Sequence, residues 1–497
     1  MTLEKQLKRF FNYEAFRIGQ KEVISSVLGG NHTIAMLPTG TGKSLCYQLP
    51  GFLLDGQVVI ISPLLSLMQD QAEQLMMNGE KSVVAFNSFL SQKEKSTAIR
   101  RLHQYKFIFF SPEMLKLDYV VNKLQKLNIS LFVIDEAHCI SQWGYDFRPD
   151  YLKLGEIREK LGNPVTLALT ATATKEIKDD IISTLAFDHW NEFINSVNRP
   201  NIALTVETMD SYQEKIDRLV ELVNRLAGPG IIYFNSKKLS EQIAALLKDR
   251  GVENVMPYHG GMEQENRILI QQQFIHGQLQ VICATSAFGM GINKENVRYV
   301  IHFHMPLQME AYLQEIGRAG RDGKRSIAVL LYSPGDEQLA HQLTEGEIPS
   351  PEQLDWLIEV IKDHPHLTNK LAAFESELRK ATGFTEVQWR MVADFLQVEN
   401  GLHLEEAIKK YKTYSSERLQ IKRKKIYDMF KWTQEKDCRR KKILKYFDED
   451  MKIEKEGYCC DQCGVELSHF YANSTHKEAE RRTYDWKKHL AEILLSK

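Results

Sequence analysis

An apolar strand that runs directly into a glycine-rich turn with Lys and Ser commits this chain to a strand–loop–helix architecture. The strand is Thr33-Ile-Ala-Met-Leu37 and the turn is Pro38-Thr-Gly-Thr-Gly-Lys-Ser44. Such a turn leaves backbone N–H groups free to hold phosphate oxygens at the start of a helix. Thr39, Gly40, Thr41 and Gly42 would form the cradle. Lys43 would add a point charge for the β- and γ-phosphates, and the Ser44 hydroxyl would coordinate Mg²⁺. The strict pattern asks for Gly at position 37, where this chain has Leu. The competing reading is a structural turn that happens to contain Lys-Ser, and the strand ahead of it argues against that.

Further apolar runs extend the pattern. Val58–Ile61, Phe107–Phe110, Leu131–Ile134 and Val165–Leu169 read as buried parallel strands of a doubly wound α/β unit. Ligands of such sheets bind at the carboxyl ends of strands. Asp135-Glu-Ala-His138 lies at one of these ends. Asp135 suits an indirect Mg²⁺ ligand, Glu136 can orient and deprotonate an attacking water, and His138 completes the box. An Asp-Glu pair alone is usually surface charge. Behind a buried strand and downstream of a Lys loop, it implies nucleoside triphosphate hydrolysis.

A second α/β unit follows Asn198-Arg-Pro-Asn201. Its strands are Gly230–Phe234, Val255–Tyr258, Val281–Ala284, Val297–His302 and Ile327–Tyr332. It has no Lys loop, so two RecA-like sheets in series would make a cleft that one wall fills and the other senses. Gln314-Glu-Ile-Gly-Arg-Ala-Gly-Arg-Asp-Gly323 supplies the second wall. Charge developing on the transferred phosphate needs a cation that arrives when the cleft closes. Arg318 and Arg321, three apart on one helical face, suit that role. Arg321 is read as the finger, Arg318 as its partner, and Gln314 joins the catalytic set. An Arg pair on a helix is more often structural, and the glycines around this one carry the reading.

Beyond Ser333-Pro-Gly-Asp336 the pattern is helical, with helices expected over 354–361, 370–380 and 386–397. Thr382-Gly-Phe-Thr385 fits a turn with an N-cap. A helix-turn-helix or winged-helix unit and a plain helical spacer fit equally. The fold class is thus α/β: two tandem RecA-like parallel-sheet domains, then a small helical insertion and a helical zinc-binding module. The boundaries are 1–202, 203–337, 350–412, 413–470 and a helical tail 471–497.

Net charge is −1 over 497 residues, so the chain does not coat nucleic acid by charge alone. Lys422-Arg-Lys-Lys425 and Arg439-Arg-Lys-Lys442 are local exceptions. Each is either a phosphate-contacting face or a solvated helix surface. No apolar stretch reaches the ~20 residues that span a bilayer. The N-terminus lacks the apolar core of a signal peptide, so a cytoplasmic protein, nucleoid-associated if bacterial, is expected. Of seven cysteines, Cys46, Cys139 and Cys283 are scattered and read as small buried thiols. Cys438, Cys459, Cys460 and Cys463 cluster, which in a cytoplasmic chain favours metal over disulfide.

Trp143, Tyr145, Phe147 and Arg148 follow the Asp-Glu-Ala-His box closely. Exposed rings stack on unpaired bases, at ~1–3 kcal/mol each. The alternative is that Trp143 and Phe147 belong to the core of a following helix, but Gly144 and Pro149 favour a loop. With these residues a resemblance becomes specific. Phe10–Gln20, Leu37–Ser44, Ser62–Gln69, Asp135–Phe147, Leu169–Thr172, Ala287–Ile292 and Tyr312–Gly323 together resemble the RecQ family of superfamily 2 DNA helicases. The match covers residues 1–335, and the Cys cluster extends it.

The resemblance implies that Tyr13, Arg17 and Gln20 recognise adenine, so that ATP is the fuel. It implies that Trp143, Phe147 and Arg148, with Ser62, contact single-stranded DNA and couple that contact to hydrolysis, with 3′-to-5′ movement. It implies a structural Zn²⁺ held by Cys438, Cys459, Cys460 and Cys463 in a closed tetrahedral site. Reduced cysteines without metal are the alternative, and Cys459 departs from the family's usual spacing. Tyr145, Asn293 and Lys237 stand where the family commonly has His, Asp and Arg. Only 34 residues follow Cys463, so a short form without the C-terminal winged-helix and HRDC domains is expected. The leading reading is an ATP-dependent DNA helicase of repair or recombination, acting as a monomer on single strands and single/double-strand junctions. A single-stranded DNA-binding protein is a partner by family analogy. The alternatives are a DExH-type RNA helicase and a DNA-binding factor with a dead motor, but Lys43, Glu136 and Arg321 are all present.

Overall fold

Strands built of consecutive Val, Ile, Leu and Phe must be covered on both faces, which is the signature of a parallel sheet between helical layers. The structure is a computed structural model. It describes residues 2–63, 65–86, 90–141, 148–289, 294–363, 375–398, 404–450 and 458–472. The first sheet comprises β1 (Thr33–Met36), β2 (Gln57–Ile61), β3 (Val83–Phe86), β4 (Phe107–Phe110), β5 (Ile129–Ile134), β6 (Thr166–Thr170) and β7 (Asn191–Ile194). Their order is β3-β4-β2-β5-β6-β1-β7, parallel throughout. Successive residues feed opposite layers: Val59, Ile61, Phe132 and Ile134 pack in one core, and Val58, Ile60, Leu131 and Val133 in the other.

The second sheet repeats the plan. It contains β8 (Ile202–Thr208), β9 (Gly230–Tyr233), β10 (Val255–Tyr258), β11 (Val281–Ala284), β12 (Tyr299–His302) and β13 (Ser326–Tyr332). The order is β10-β11-β9-β12-β13-β8, again parallel. Three strands went unread in the sequence: β3, β7 and β8. The second is largely exposed, and the third falls at the junction, where Pro200 and two Asn mask its start.

The helical region holds one correction. Helices Pro351–Asp363, Glu375–Thr382 and Glu386–Val398 share a core of Leu354, Leu357, Leu378, Trp389 and Val392. The Thr385 hydroxyl caps the last of them by accepting from Gln388 N–H at 3.2 Å. The fourth helix, Leu404–Thr433, is continuous through 30 residues, about 45 Å at helical rise. The expected boundary at 412/413 therefore falls inside a helix. Its first turns (Ala407, Ile408, Tyr411) complete the small bundle. Its last turns (Ile426, Met429, Trp432) pack into the core of the second sheet. One apolar stripe serves two cores, so composition gives no break at 412. Of the expected tail 471–497, residues 473–497 lie outside the described residues.

The basic runs divide: Arg423, Lys424 and Lys441 are exposed on helix surfaces, as one expectation had it, and the rest are engaged. Lys422, Arg423 and Lys425 pair with Glu347, Glu345 and Glu310. Arg439 and Arg440 are 3% and 6% exposed and donate mainly to main-chain carbonyls. These arginines are structural, neither solvated nor free for phosphate.

Candidate active site

The phosphate loop sits where β1 ends. Gly40 and Gly42 take left-handed φ values of +88° and +75°, which glycine adopts without a Cβ penalty. Thr41 Oγ1 donates to Pro38 O at 2.7 Å, which closes the turn. Gln20 ties the loop from outside: its Nε2 donates to Thr41 O at 2.8 Å and Gly42 O at 3.0 Å. Arg17 Nη1 donates to Gly40 O at 2.6 Å. Tyr13, 57% exposed, stands at the rim of the same cleft, which Thr39, Lys43 and Ser44 also line.

Asp135 and Glu136 emerge from β5 into the cleft. Glu136 adopts φ +49°, and that strained turn points its carboxylate back at Lys43, 3.5 Å away. Burial and the adjacent Glu136 push the Asp135 carboxyl up to about 7. Burial also pushes Glu136 upward, but Lys43, His138 and Arg318 outweigh it and hold this carboxyl below its ordinary value. His138 lies 3.4 Å from Glu136 and 3.0 Å from Thr170 Oγ1. Since the Thr170 hydroxyl donates to Thr172 O, His138 Nδ1 is the donor. The box is thereby linked to β6 and to the Thr170-Ala-Thr172 segment.

The opposite wall comes from the second sheet. Arg318 and Arg321 lie beyond the helix Met309–Ile316, in a turn. The expectation that they share a helical face is corrected here. The glycines explain it. Gly317 packs so closely on Thr39 that a Cβ would sit 1.9 Å from its hydroxyl, and Gly320 has φ +55°. The turn brings Arg321 onto the phosphate loop, with its Cγ 2.8 Å from where a Gly40 Cβ would be. Arg318 donates to Gly289 O. Gln314 also lines the cleft, its Nε2 buried without a hydrogen-bond partner. Burial, then Arg318, Arg199 and Arg17, depress Arg321 to about 9. Such a crowd of guanidinium groups stabilises an anion placed among them.

Two cleft residues escaped the sequence reading. Arg199, in the junction, donates to the Thr39, Gly317, Ala319 and Gly320 carbonyls. Glu295 reaches Arg17 across the cleft at 3.1 Å. Neither sits in a motif with its own spacing, although the Arg-Pro pair at 199–200 was a visible signal.

Of the strand-contact residues, Trp143 and Phe147 lie outside the described residues. Arg148 N–H donates to Cys139 O at 3.0 Å, while its guanidinium donates to Pro63 O at 2.8 Å. Ser62, read as a strand contact, is only 2% exposed because it ends the buried β2. The four clustered cysteines converge, with all sulfur atoms within 4.8 Å of one another. A tetrahedral thiolate site needs sulfurs about 3.8 Å apart for 2.3 Å bonds, and Cys438 and Cys459 are 3.5 Å apart. The donor set fits Zn²⁺, with Cys459 inside it despite its spacing. Cys46, Cys139 and Cys283 are buried and form no disulfide.

Residues 17–180 match the DEAD/DEAH box helicase family, 214–323 the helicase conserved C-terminal domain, and 394–464 the RecQ zinc-binding family. The chain is 48% identical over 473 residues to the probable ATP-dependent DNA helicase RecS of Bacillus subtilis, covering 94% of this chain and 92% of that protein. The chain belongs to the RecQ family of DNA helicases. Like its relatives, this RecQ-family chain is an ATP-dependent helicase with a zinc-binding domain. It is 42% identical over 331 residues to the RecQ helicase of Haemophilus influenzae, but spans only 53% of that protein's length. Two solved structures share the fold. One is the Mycobacterium smegmatis helicase Lhr bound to single-stranded DNA and AMP-PNP, with TM-score 0.55, 20% identity, and coverage of 79% of this chain and 57% of that one. The other is Mss116p bound to single-stranded RNA and AMP-PNP, with TM-score 0.56, 19% identity, and coverage of 78% and 86%. No helix among the described residues is long and apolar enough to cross a membrane.

Proposed function

We propose that this RecQ-family enzyme is a 3′-to-5′ DNA helicase that spends ATP to move along single-stranded DNA and open duplexes in repair or recombination. The observation that carries the reading is the meeting of two halves of a hydrolytic centre, Lys43 and Glu136 from one sheet and Arg321 from the other, across one cleft. Tyr13, Arg17 and Gln20 would hold adenine beside the loop, and Thr39 to Ser44 the phosphates. Ser44 and Asp135 would hold Mg²⁺, which supplies charge neutralisation at the β- and γ-phosphates. Glu136, kept ionised by Lys43 and His138, is poised to take a proton from the attacking water. Arg321, with Arg318, would neutralise charge on the transferred phosphoryl group.

The strand is proposed to run over the aromatic stretch that contains Trp143 and Phe147. What supports coupling is its attachment: Tyr151, just beyond it, donates to Asp135 O at 3.1 Å. We take Cys438, Cys459, Cys460 and Cys463 as the Zn²⁺ ligands and residues 350–412 as a duplex- or partner-contacting unit. The enzyme is read as a monomer in the cytoplasm, at the nucleoid if the source is bacterial, with single-stranded DNA-binding protein as a candidate partner. The test compares ATPase rates with no nucleic acid, single-stranded DNA, duplex and single-stranded RNA, and unwinding of partial duplexes with 3′ or 5′ overhangs. Stimulation by single-stranded DNA, lost in Trp143→Ala, and unwinding from the 3′ overhang alone are expected. Equal stimulation by RNA would favour an RNA helicase, and unwinding from the 5′ overhang would reverse the direction.

A further inference from the structure

The segment between the sheets, Ser196 to Asn201, makes more polar contacts outside itself than its length requires. Its middle residue, Arg199, inserts between the two walls of the nucleotide cleft. Arg199 Nη1 donates to Thr39 O at 2.9 Å and Gly317 O at 3.1 Å, and Nη2 to Ala319 O at 3.1 Å and Gly320 O at 2.8 Å. Thr39 belongs to the phosphate loop, and the other three carbonyls belong to the turn that carries Arg318 and Arg321. One planar fork thus fixes the distance between loop and finger. Asn201 Nδ2 reinforces the same turn, donating to Gly320 O at 2.8 Å and Lys324 O at 3.0 Å.

Both ends of the segment are held from the zinc module. At the near end, Val197 N–H donates to Glu449 Oε1 at 2.9 Å and the Ser196 hydroxyl donates to Oε2. At the far end, the buried Arg440 donates to Asn198 Oδ1 at 2.8 Å, Arg199 O at 2.9 Å and Ile202 O at 2.6 Å. Its Nη2 also donates to Cys459 O at 3.2 Å, so the same guanidinium touches the main chain of a zinc-cluster residue. The neighbouring Arg439 is locked by Asp461 at 2.6 Å, between Cys460 and Cys463. The chain of contacts from sulfur cluster to phosphate loop is therefore direct: Cys459, Arg440, the Arg199 backbone, the Arg199 side chain, Thr39.

We propose that Arg199 is a positioning residue for hydrolysis, holding the phosphate loop and the arginine-bearing turn in register, and that the zinc module sets its place through Arg440 and Glu449. The metal cluster then serves the motor as well as its own fold. A Lys cannot replace Arg199, because an ammonium lacks the planar fork that spans four carbonyls.

The experiment uses the full zinc-loaded chain and the variants Arg199→Ala, Arg199→Lys, Arg440→Gln, Glu449→Gln and Arg199→Ala/Arg440→Gln. It reads kcat and KM for ATP with saturating oligothymidylate, affinity for a fluorescent non-hydrolysable ATP analogue, and zinc per chain by chelator colorimetry. Arg199→Ala should lower kcat about 30-fold and analogue affinity less than about 3-fold, the mark of a contact made in the transition state. Arg199→Lys should not restore kcat. Arg440→Gln should lower kcat about tenfold alone but less than about twofold in the Arg199→Ala background, because the two residues act in series. Glu449→Gln should lower kcat less than Arg440→Gln does. Zinc should stay at wild-type stoichiometry in each. Equal fold-losses for Arg440→Gln in both backgrounds would overturn the proposal, as would parallel losses of kcat and analogue affinity in Arg199→Ala. If Arg199→Ala loses zinc, Arg199→Lys carries the same cycle. The inference rests on Arg321 as the finger, so Arg321→Ala is measured alongside. Full activity there sinks the finger, and the strap is then judged on the Arg199–Arg440 coupling alone.

Discussion

The two walls of the cleft share one sheet plan but differ in charge: the first, the acidic wall, carries the paired carboxylates beside Lys43, and the second, the basic wall, carries Arg318 and Arg321. The first places Asp135 and Glu136 side by side, and their repulsion adds to burial in raising Asp135 to about 7. The second places Arg321 beside Arg318 and facing Arg199 of the junction and Arg17 of the first wall, and their repulsion adds to burial in lowering it to about 9. Asp135 and Arg321 are each strained by neighbouring like charges, so each is relieved by an opposite one. A magnesium-bound triphosphate offers a cation to the acidic wall and an anion to the basic wall. The site's specificity lies in what each wall lacks.

Breaking the basic wall should have the largest effect. Arg321→Ala is expected to lower kcat by about 10³-fold, the scale of an arginine finger, while the acidic wall still binds metal and nucleotide. A kcat loss below about tenfold would mean that the crowding of arginines serves folding rather than chemistry. Lys43→Ala, on the acidic side, should cost both kcat and nucleotide affinity, since in the proposed mechanism Lys43 would touch the ground state too.

The acidic wall can be sharpened by pH. A carboxyl whose folded-state value lies above its ordinary one favours the protonated folded state. It contributes stability at low pH, which is lost as pH rises from about 4 to about 7. Metal binding must displace that proton, so Mg²⁺ affinity should rise about tenfold between pH 6 and pH 8 and level off above. Mg²⁺-dependent shifts in Tm in the presence of ADP would measure it. Asp135→Asn should flatten the profile. An unchanged Mg²⁺ affinity across that range would remove the like-charge strain from the account of this wall.

The same contrast explains what the sequence could reveal. Lys43, Asp135 and Glu136 are legible because a strand, a turn and a side chain must follow one another at fixed spacing, and both sheets are legible because buried parallel strands are uniformly apolar. Arg321 was singled out by the glycines around it, but its local structure was misread, because the turn at Gly317–Gly320 is dictated by close packing on Thr39 from the other sheet. Arg199 and Arg440 act on carbonyl oxygens, and a carbonyl has no letter in the sequence. The run around Arg440 looked like surface charge for that reason. The helix Leu404–Thr433 hid the domain boundary because its two ends face different cores with the same kinds of residue.

The smallest expected effect tests whether the division into acidic and basic walls is complete. Glu295 is an acid on the basic side, paired with Arg17 across the cleft at 3.1 Å. Both side chains are about half exposed, at 49% and 55%. Water and salt screen such a pair, and its worth is at most about 1 kcal/mol. Glu295→Gln should therefore change KM for ATP by less than about 3-fold, and less still at high salt. Arg17→Ala should cost more, because it also removes the bond to Gly40 O, which salt does not screen. Equal losses in the two variants, both vanishing at high salt, would assign Arg17 to holding the walls together rather than to shaping the phosphate loop. Glu295 would then count as the basic wall's own counter-charge, and the arginine cluster would be less dependent on phosphate than its depressed Arg321 implies.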